Sequence, residues 1–130
     1  MICLNLRSTV PIYEQIINQY KYLILQKYLK SGDAIPSVRK LAMELNVTPG
    51  TVAKAYRELE AQRVIETVRG KGTFIAENVD FKPNEGVVKK VKEELKNQCM
   101  ELIYQGWTKE MALHLVEEIF DSLQREGKDD

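Results

Sequence analysis

IPSVRKLAMELNVTPGTVAKAYRELEAQRVIETVRGKGT, residues 35–73, decides the fold. It divides into two short helical runs, a tight turn between them, and a glycine-tipped hairpin. In the first run Pro36 and Ser37 form a helix entry, where a missing N–H costs nothing and a hydroxyl caps orphan donors. Val38, Leu41, Ala42 and Leu45 then recur at helical spacing, and Asn46, a residue that tolerates positive φ, makes the turn. Thr48 and Pro49 open the second run as N-cap and first helical residue. Val52, Ala55, Tyr56 and Leu59 face a core, which leaves Pro49, Gly50, Thr51, Lys54, Arg57 and Glu58 on the open side. Val64 to Val68 is β-branched and partly alternating, and Thr73 to Ala76 is its return strand. Arg69-Gly70-Lys71-Gly72 makes the tip, with two residues free to take positive φ and two cations beside them.

Helix, turn, helix and hairpin in this order form a winged helix-turn-helix, a layout suited to duplex DNA. The second helix would enter the major groove, led by Thr48, Pro49, Gly50, Thr51 and Lys54. A bare Gly50 backbone lets another surface come close, and Thr51 is short enough to touch a base edge. Ser37, Arg39, Lys40 and Arg57 flank that helix as backbone or base contacts. Arg69, Gly70, Lys71 and Gly72 would reach a phosphate or a minor groove.

The phrases PSVRKLA, TVAKAYRELE and RGKGTFI resemble the N-terminal domain of the GntR family of bacterial transcription regulators. PIYEQI and SGDAIPS, ahead of them, are similar to the same family, so the likeness spans residues 11–75. The tyrosine of KAYRELE and the short tail resemble the YtrA-like subfamily. The resemblance implies a regulator, a repressor, that binds a palindromic double-stranded operator as a homodimer. Arg39 matches the family arginine that approaches DNA. The family often has glycine where this chain has Lys27 and Arg63, and an arginine where it has Pro49-Gly50.

The chain is neutral, with 19 Lys+Arg against 19 Asp+Glu, which by itself argues against nucleic acid. The distribution answers this: residues 1–79 carry a net +4 and residues 80–130 a net −4. The basic half holds the DNA-reading motif. Two cysteines are too few for a disulfide framework and fit a reducing cytoplasm. No apolar run is long enough to span a bilayer, and no signal-peptide core is present.

The expected domains are a winged unit over 1–77 (helix-turn-helix 37–60, wing 64–76), a linker over 78–86 and a two-helix segment over 87–130. The fold class is mainly α with a small β-wing. Ile2 to Leu6 alternates, as an edge strand or an arm would. A long helix over 12–30, with Ile12, Ile16, Ile17, Tyr20, Leu23, Ile24 and Tyr28 as its stripe, backs the motif and has no chemistry of its own. In the tail, helices over 87–105 and 109–124 are joined at Gly106, a C′ residue, and Thr108, an N-cap. Val87, Val88, Val91, Leu95, Cys99, Leu102 and Ile103 turn inward on the first. Leu115, Ile119, Phe120 and Leu123 lie on the second. Two such faces are too wide to close on each other in so small a chain. Val88, Val91, Leu95, Leu102, Leu115, Ile119, Phe120 and Leu123 are therefore the expected dimer contacts.

Rival chemistry has little support. His114 stands alone without a metal-ligand cluster and reads as a packed or interface residue. Cys3 and Cys99 read as small buried apolar groups, and Tyr104 with Trp107 as a hydrophobic joint. No Ser/His/Asp, Cys/His or phosphate-loop constellation appears, and the chain ends too soon for the aminotransferase-like domain of some GntR relatives. No cofactor or metal is expected. A small-molecule effector stays open, since a tail of two helices leaves little room for a pocket. The alternative function is an architectural or protein-interaction winged helix, which would bind random duplexes and an operator alike.

Overall fold

The structure, a computed structural model, describes residues 1–77 and 84–125 and divides into two compact units, Met1–Asp80 and Phe81–Asp130. The first unit runs α1 (Ile12–Leu25), β1 (Ala34–Ile35), α2 (Val38–Leu45), α3 (Pro49–Ala61), β2 (Ile65–Val68) and β3 (Gly72–Ile75). The second holds α4 (Glu85–Tyr104) and α5 (Lys109–Arg125). The strands form an antiparallel sheet in the order β1-β3-β2, with Ile35 opposite Thr73 and Ile65 opposite Ile75.

The core of the first unit gathers one face of every helix. Ile16, Val52, Ala55, Leu59 and Ile75 are fully buried, with Tyr20, Leu41, Ala42, Tyr56 and Ile65 nearly so. Each large aliphatic side chain among them contributes about 1.5–3 kcal/mol relative to exposure. Two tyrosines tie the layers together. The Tyr20 and Tyr56 hydroxyls lie 2.8 Å apart, their rings meet edge to face at 5.8 Å, and Tyr56 donates to the Pro36 carbonyl at 2.7 Å. With Tyr56 donating there, Tyr20 is the donor to Tyr56. The chain of bonds links α1, α3 and the entry to α2.

Four helix ends share one construction. After α1, Tyr28 N–H donates to the Leu23 carbonyl and Lys27 N–H to Ile24, with Lys27 at φ +64. Asn46 (φ +56), Arg63 (φ +60) and Gly106 (φ +90) close α2, α3 and α4 with the same pair of bonds. These are Schellman motifs, whose C′ residue must be left-handed. Asn46 and Gly106 were expected to do this. Lys27 and Arg63 do it without glycine, at the two positions where the family often has one.

This construction corrects the long first helix. It ends at Leu25, not Lys30, because the left-handed Lys27 breaks the ladder. Tyr28 consequently leaves the stripe and is exposed, while Leu29 turns in. The two-residue strand β1 was not expected; it lengthens the hairpin into a sheet. The N-terminal stretch is an arm, not a strand. Ile2 is buried, Cys3 exposed and Leu4 half-buried, so the alternation is real. Its backbone partners are side chains: Gln19 bonds both the N–H and the carbonyl of Cys3, and Gln15 does the same for Asn5 at 2.8 and 3.0 Å.

In the second unit Asn84 caps α4 through Gly86 and Val87, so the last residues of the expected linker are already the helix start. The remainder, 78–83, lies outside the described residues, as does the tail beyond Arg125. No residue of α4 is buried, which corrects the inward assignment of its apolar stripe. Val88, Val91, Leu95, Ile119, Phe120 and Leu123 are 40–58% exposed, while Leu102 and Leu115 are half-buried.

Candidate nucleic-acid interface

Helix α3 is set by what lies beneath it. Val52, Ala55, Tyr56 and Leu59 fix one face against α1 and α2, so the opposite face must point outward. Thr48, Pro49, Gly50, Lys54 and Arg57 are all exposed there, and Thr51 is half-buried. Pro49 occupies the helix start, but Thr48 does not cap it as expected. Its hydroxyl instead pairs with that of Thr51 at 2.9 Å, and no side chain bonds the first amides of α3. Pro49 has no N–H and the Thr51 N–H donates to the Thr48 carbonyl at 3.1 Å, so this helix start presents the Gly50 N–H and the positive end of its dipole to whatever lies outside.

Gly50 needs no glycine on internal grounds. A Cβ there would meet no atom within 4 Å, and its φ is not left-handed. Alanine would suit the helix better by about 0.5–1 kcal/mol. Gly70 and Gly72 differ. They take φ +82 and +123, Lys71 N–H bonds the Val68 carbonyl at 2.9 Å, and the hairpin could not turn so tightly without them. Gly72 itself is the first residue of β3, paired with Val68, so the loop proper is Arg69-Gly70-Lys71.

Ser37 caps α2, accepting from Lys40 N–H at 3.1 Å, while remaining exposed. Arg39 and Lys40 project from the first turn of α2 and are exposed, as are Arg69 and Lys71 at the wing. Among the described residues the Lys90–Glu94 ion pair and the His114–Glu118 contact both lie in the second unit. Arg39, Lys40, Arg57, Arg69 and Lys71 therefore keep their charge unneutralised by a carboxylate among the described residues. Unpaired exposed cations on one unit suit a polyanion.

One side chain of this face was missed. Tyr13 of α1 lies under Lys54, whose Nζ is 3.9 Å from the ring centroid. The signal was present: Tyr13 stands three residues before Ile16, so helical spacing puts it on the packed side of α1. That contact corrects the reading of α1 as chemically idle.

His114 is exposed and lies 3.0 Å from Glu118 on the next turn, so of the two readings, packed or interface, the packed one is excluded within this chain. Two other expectations are overturned. Cys3 and Cys99 are exposed, the first because the arm's alternation turns it out, the second because α4 buries nothing. Tyr104 is 85% exposed, so no closed joint forms with the half-buried Trp107. Among the described residues no His/Cys/Asp/Glu group could hold a metal, and no helix is long and apolar enough to cross a membrane.

Comparison with known proteins agrees with this geometry. The family model described as bacterial regulatory proteins, gntR family, matches residues 12–75. The HTH-type transcriptional repressor YtrA of Bacillus subtilis (strain 168) is 43% identical over 130 residues, spanning 100% of both chains. A transcriptional antiterminator from Listeria monocytogenes EGD-e has a similar structure, with TM-score 0.86 and 38% identity over 95% of this chain and 92% of that one. AraR(DBD), solved in complex with operator ORX1, matches at TM-score 0.50 and 28% identity over 57% of this chain and 92% of that one. A helix-turn-helix with its wing, full-length identity to a repressor and a shared fold converge: the chain belongs to the gntR family of bacterial regulatory proteins and is a DNA-binding transcription regulator.

Proposed function

We propose that the chain represses transcription in the cytoplasm by binding a palindromic operator as a homodimer. Helix α3 enters the major groove with Thr48, Pro49, Gly50 and Thr51 leading. Lys54 and Arg57 follow along its open face. Ser37, Arg39 and Lys40 hold the strand beside α2, and Arg69, Gly70, Lys71 and Gly72 brace the flank. The domain division that goes with this is a reading unit over 1–77 and a pairing unit over 87–130. The apolar faces of α4 and α5, on which Val88, Val91, Leu95, Ile119 and Phe120 are exposed, support pairing with a second copy. A two-fold pair suits half-sites about one helical turn apart. A small-molecule effector would act through the same segment.

The observation that carries this reading is Gly50: a glycine with open space around it, kept in a helix at a cost in stability. Its use must lie outside the chain, where a surface comes within Cβ distance. The test is Gly50→Ala. A duplex is first selected from a random library by the wild-type protein. The variant should unfold at slightly higher denaturant yet bind that duplex about ten-fold or more weakly, as a lost close approach demands. Unchanged affinity would remove α3 from the groove. Equal binding to the selected and random duplexes would favour a sequence-blind architectural role.

A further inference from the structure

Lys54, exposed like the other cations of the reading face, is also held against a ring. Its ammonium sits 3.9 Å from the centroid of Tyr13, well inside the range of cation–π attraction. The ring is a firm platform: Tyr13 is half-buried, packs against the core cluster and donates its hydroxyl to Glu14 Oε1 at 3.2 Å. Lys54 remains exposed above it. A lysine normally gives up much of its rotamer freedom when a contact immobilises it. Here much of that loss has occurred before any partner arrives. The hold also turns the ammonium toward α1.

We propose that Tyr13 is a positioning residue that presents Lys54 as a preset point charge for a backbone phosphate. This rests on the reading of α3 as the groove helix. Lys54 then reads no base. It fixes where the strand lies beside α1, and so the register in which Gly50 and Thr51 meet base edges. Phosphate contacts of this kind set orientation, while base contacts set sequence. Lysine, a compact charge on a flexible stem, gains more from such a hold than the planar guanidinium of Arg57 would.

The test uses the full chain and a duplex selected from a random library by the wild-type protein. Affinity is measured across a salt series for wild type, Lys54→Ala, Tyr13→Leu, Tyr13→Phe and the double variant Tyr13→Leu/Lys54→Ala. Lys54→Ala should weaken selected and random duplexes alike and lower the salt slope by about one per protomer. Tyr13→Leu should cost about two- to five-fold in affinity, the worth of an exposed cation–π hold, and nothing further once Lys54 is gone. Tyr13→Phe keeps the ring face and should bind as wild type. Without DNA, the Lys54 ε-methylene protons should show an upfield ring-current shift in wild type and Tyr13→Phe, lost in Tyr13→Leu. That signature reports the hold independently of any change in folding. If Lys54→Ala matters but Tyr13→Leu binds normally, or if Tyr13→Leu costs as much without Lys54 as with it, the positioning role is overturned. If Lys54→Ala leaves affinity and slope unchanged, the failure lies instead in the reading of α3 at Lys54.

Discussion

Tyr56→Phe removes one oxygen and should loosen the whole first unit. That oxygen accepts from Tyr20 at 2.8 Å and donates to the Pro36 carbonyl at 2.7 Å, and both tyrosines are almost fully buried. The change deletes two hydrogen bonds, each worth about 0.5–1.5 kcal/mol net, and strands the Tyr20 hydroxyl without its acceptor. The ring stays, so packing loss is small. The expected cost is about 2–3 kcal/mol, which for a unit of this size lowers the melting temperature by roughly 10–15 °C. Tyr20→Phe removes one bond and should cost about 1 kcal/mol. The double variant should cost less than the two singles together by about 0.5–1 kcal/mol, because the stranded hydroxyl is gone as well. Denaturant unfolding followed by far-UV circular dichroism measures all four corners. A Tyr56→Phe protein within about 0.5 kcal/mol of wild type, or strict additivity, would refute the idea that these hydroxyls fasten α1 to α3.

Other outcomes follow from the same geometry. Lys27→Gly and Arg63→Gly should each raise stability by about 0.5–1 kcal/mol in denaturant unfolding, since left-handed backbone costs a side-chain-bearing residue more than it costs glycine. Burial, helped by the charge of Glu44, holds the Tyr20 and Tyr56 phenols above their ordinary 10.0. Their contribution is fully present below pH 10 and is lost as pH rises beyond it, when the unfolded tyrosines ionise and the folded ones do not. Lys21, lowered by burial, works the other way by adding stability as pH rises toward 10.5. Stability measured against pH should therefore decline only above about pH 10, and Tyr20→Phe/Tyr56→Phe should flatten that decline. Arg69→Ala/Lys71→Ala should weaken selected and random duplexes equally and cut the salt slope by about two per protomer, read by fluorescence anisotropy. Leu95→Glu or Ile119→Lys places a charge on the exposed apolar faces, and sedimentation should show dimers for the wild type and monomers for either variant.

How much of this was legible in the sequence depended on range. Features set within one helical turn could be read directly: the Ser37 cap, the left-handed Asn46, Gly106 as a C′ residue, the wing tip. Periodicity located the buried faces of α2 and α3 because one environment governs each face along its length. Features set by distant partners could not be read. Strand β1 is two residues long and exists only because β3 lies beside it. The early end of α1 turns on Lys27, whose intrinsic preference argues against the left-handed state it adopts. Tyr13 and Lys54 are far apart in the chain, so nothing local announces their contact. The exposed stripe of α4 looks like any amphipathic helix, and spacing alone cannot say whose surface it covers.

The glutamine clasp at the beginning of the chain has a consequence for expression. Gln15 and Gln19 act as a substitute strand, holding the opening residues by their backbone while Ile2 plugs the edge of the core. Met1 itself is 80% exposed, so an affinity tag fused ahead of it should do no harm. Translation begun a few codons later would yield a protein in which Gln19 has lost both backbone partners, Gln15 keeps the Val10 carbonyl at 2.9 Å, and one side is uncorked, readily degraded though the helix-turn-helix and wing were intact.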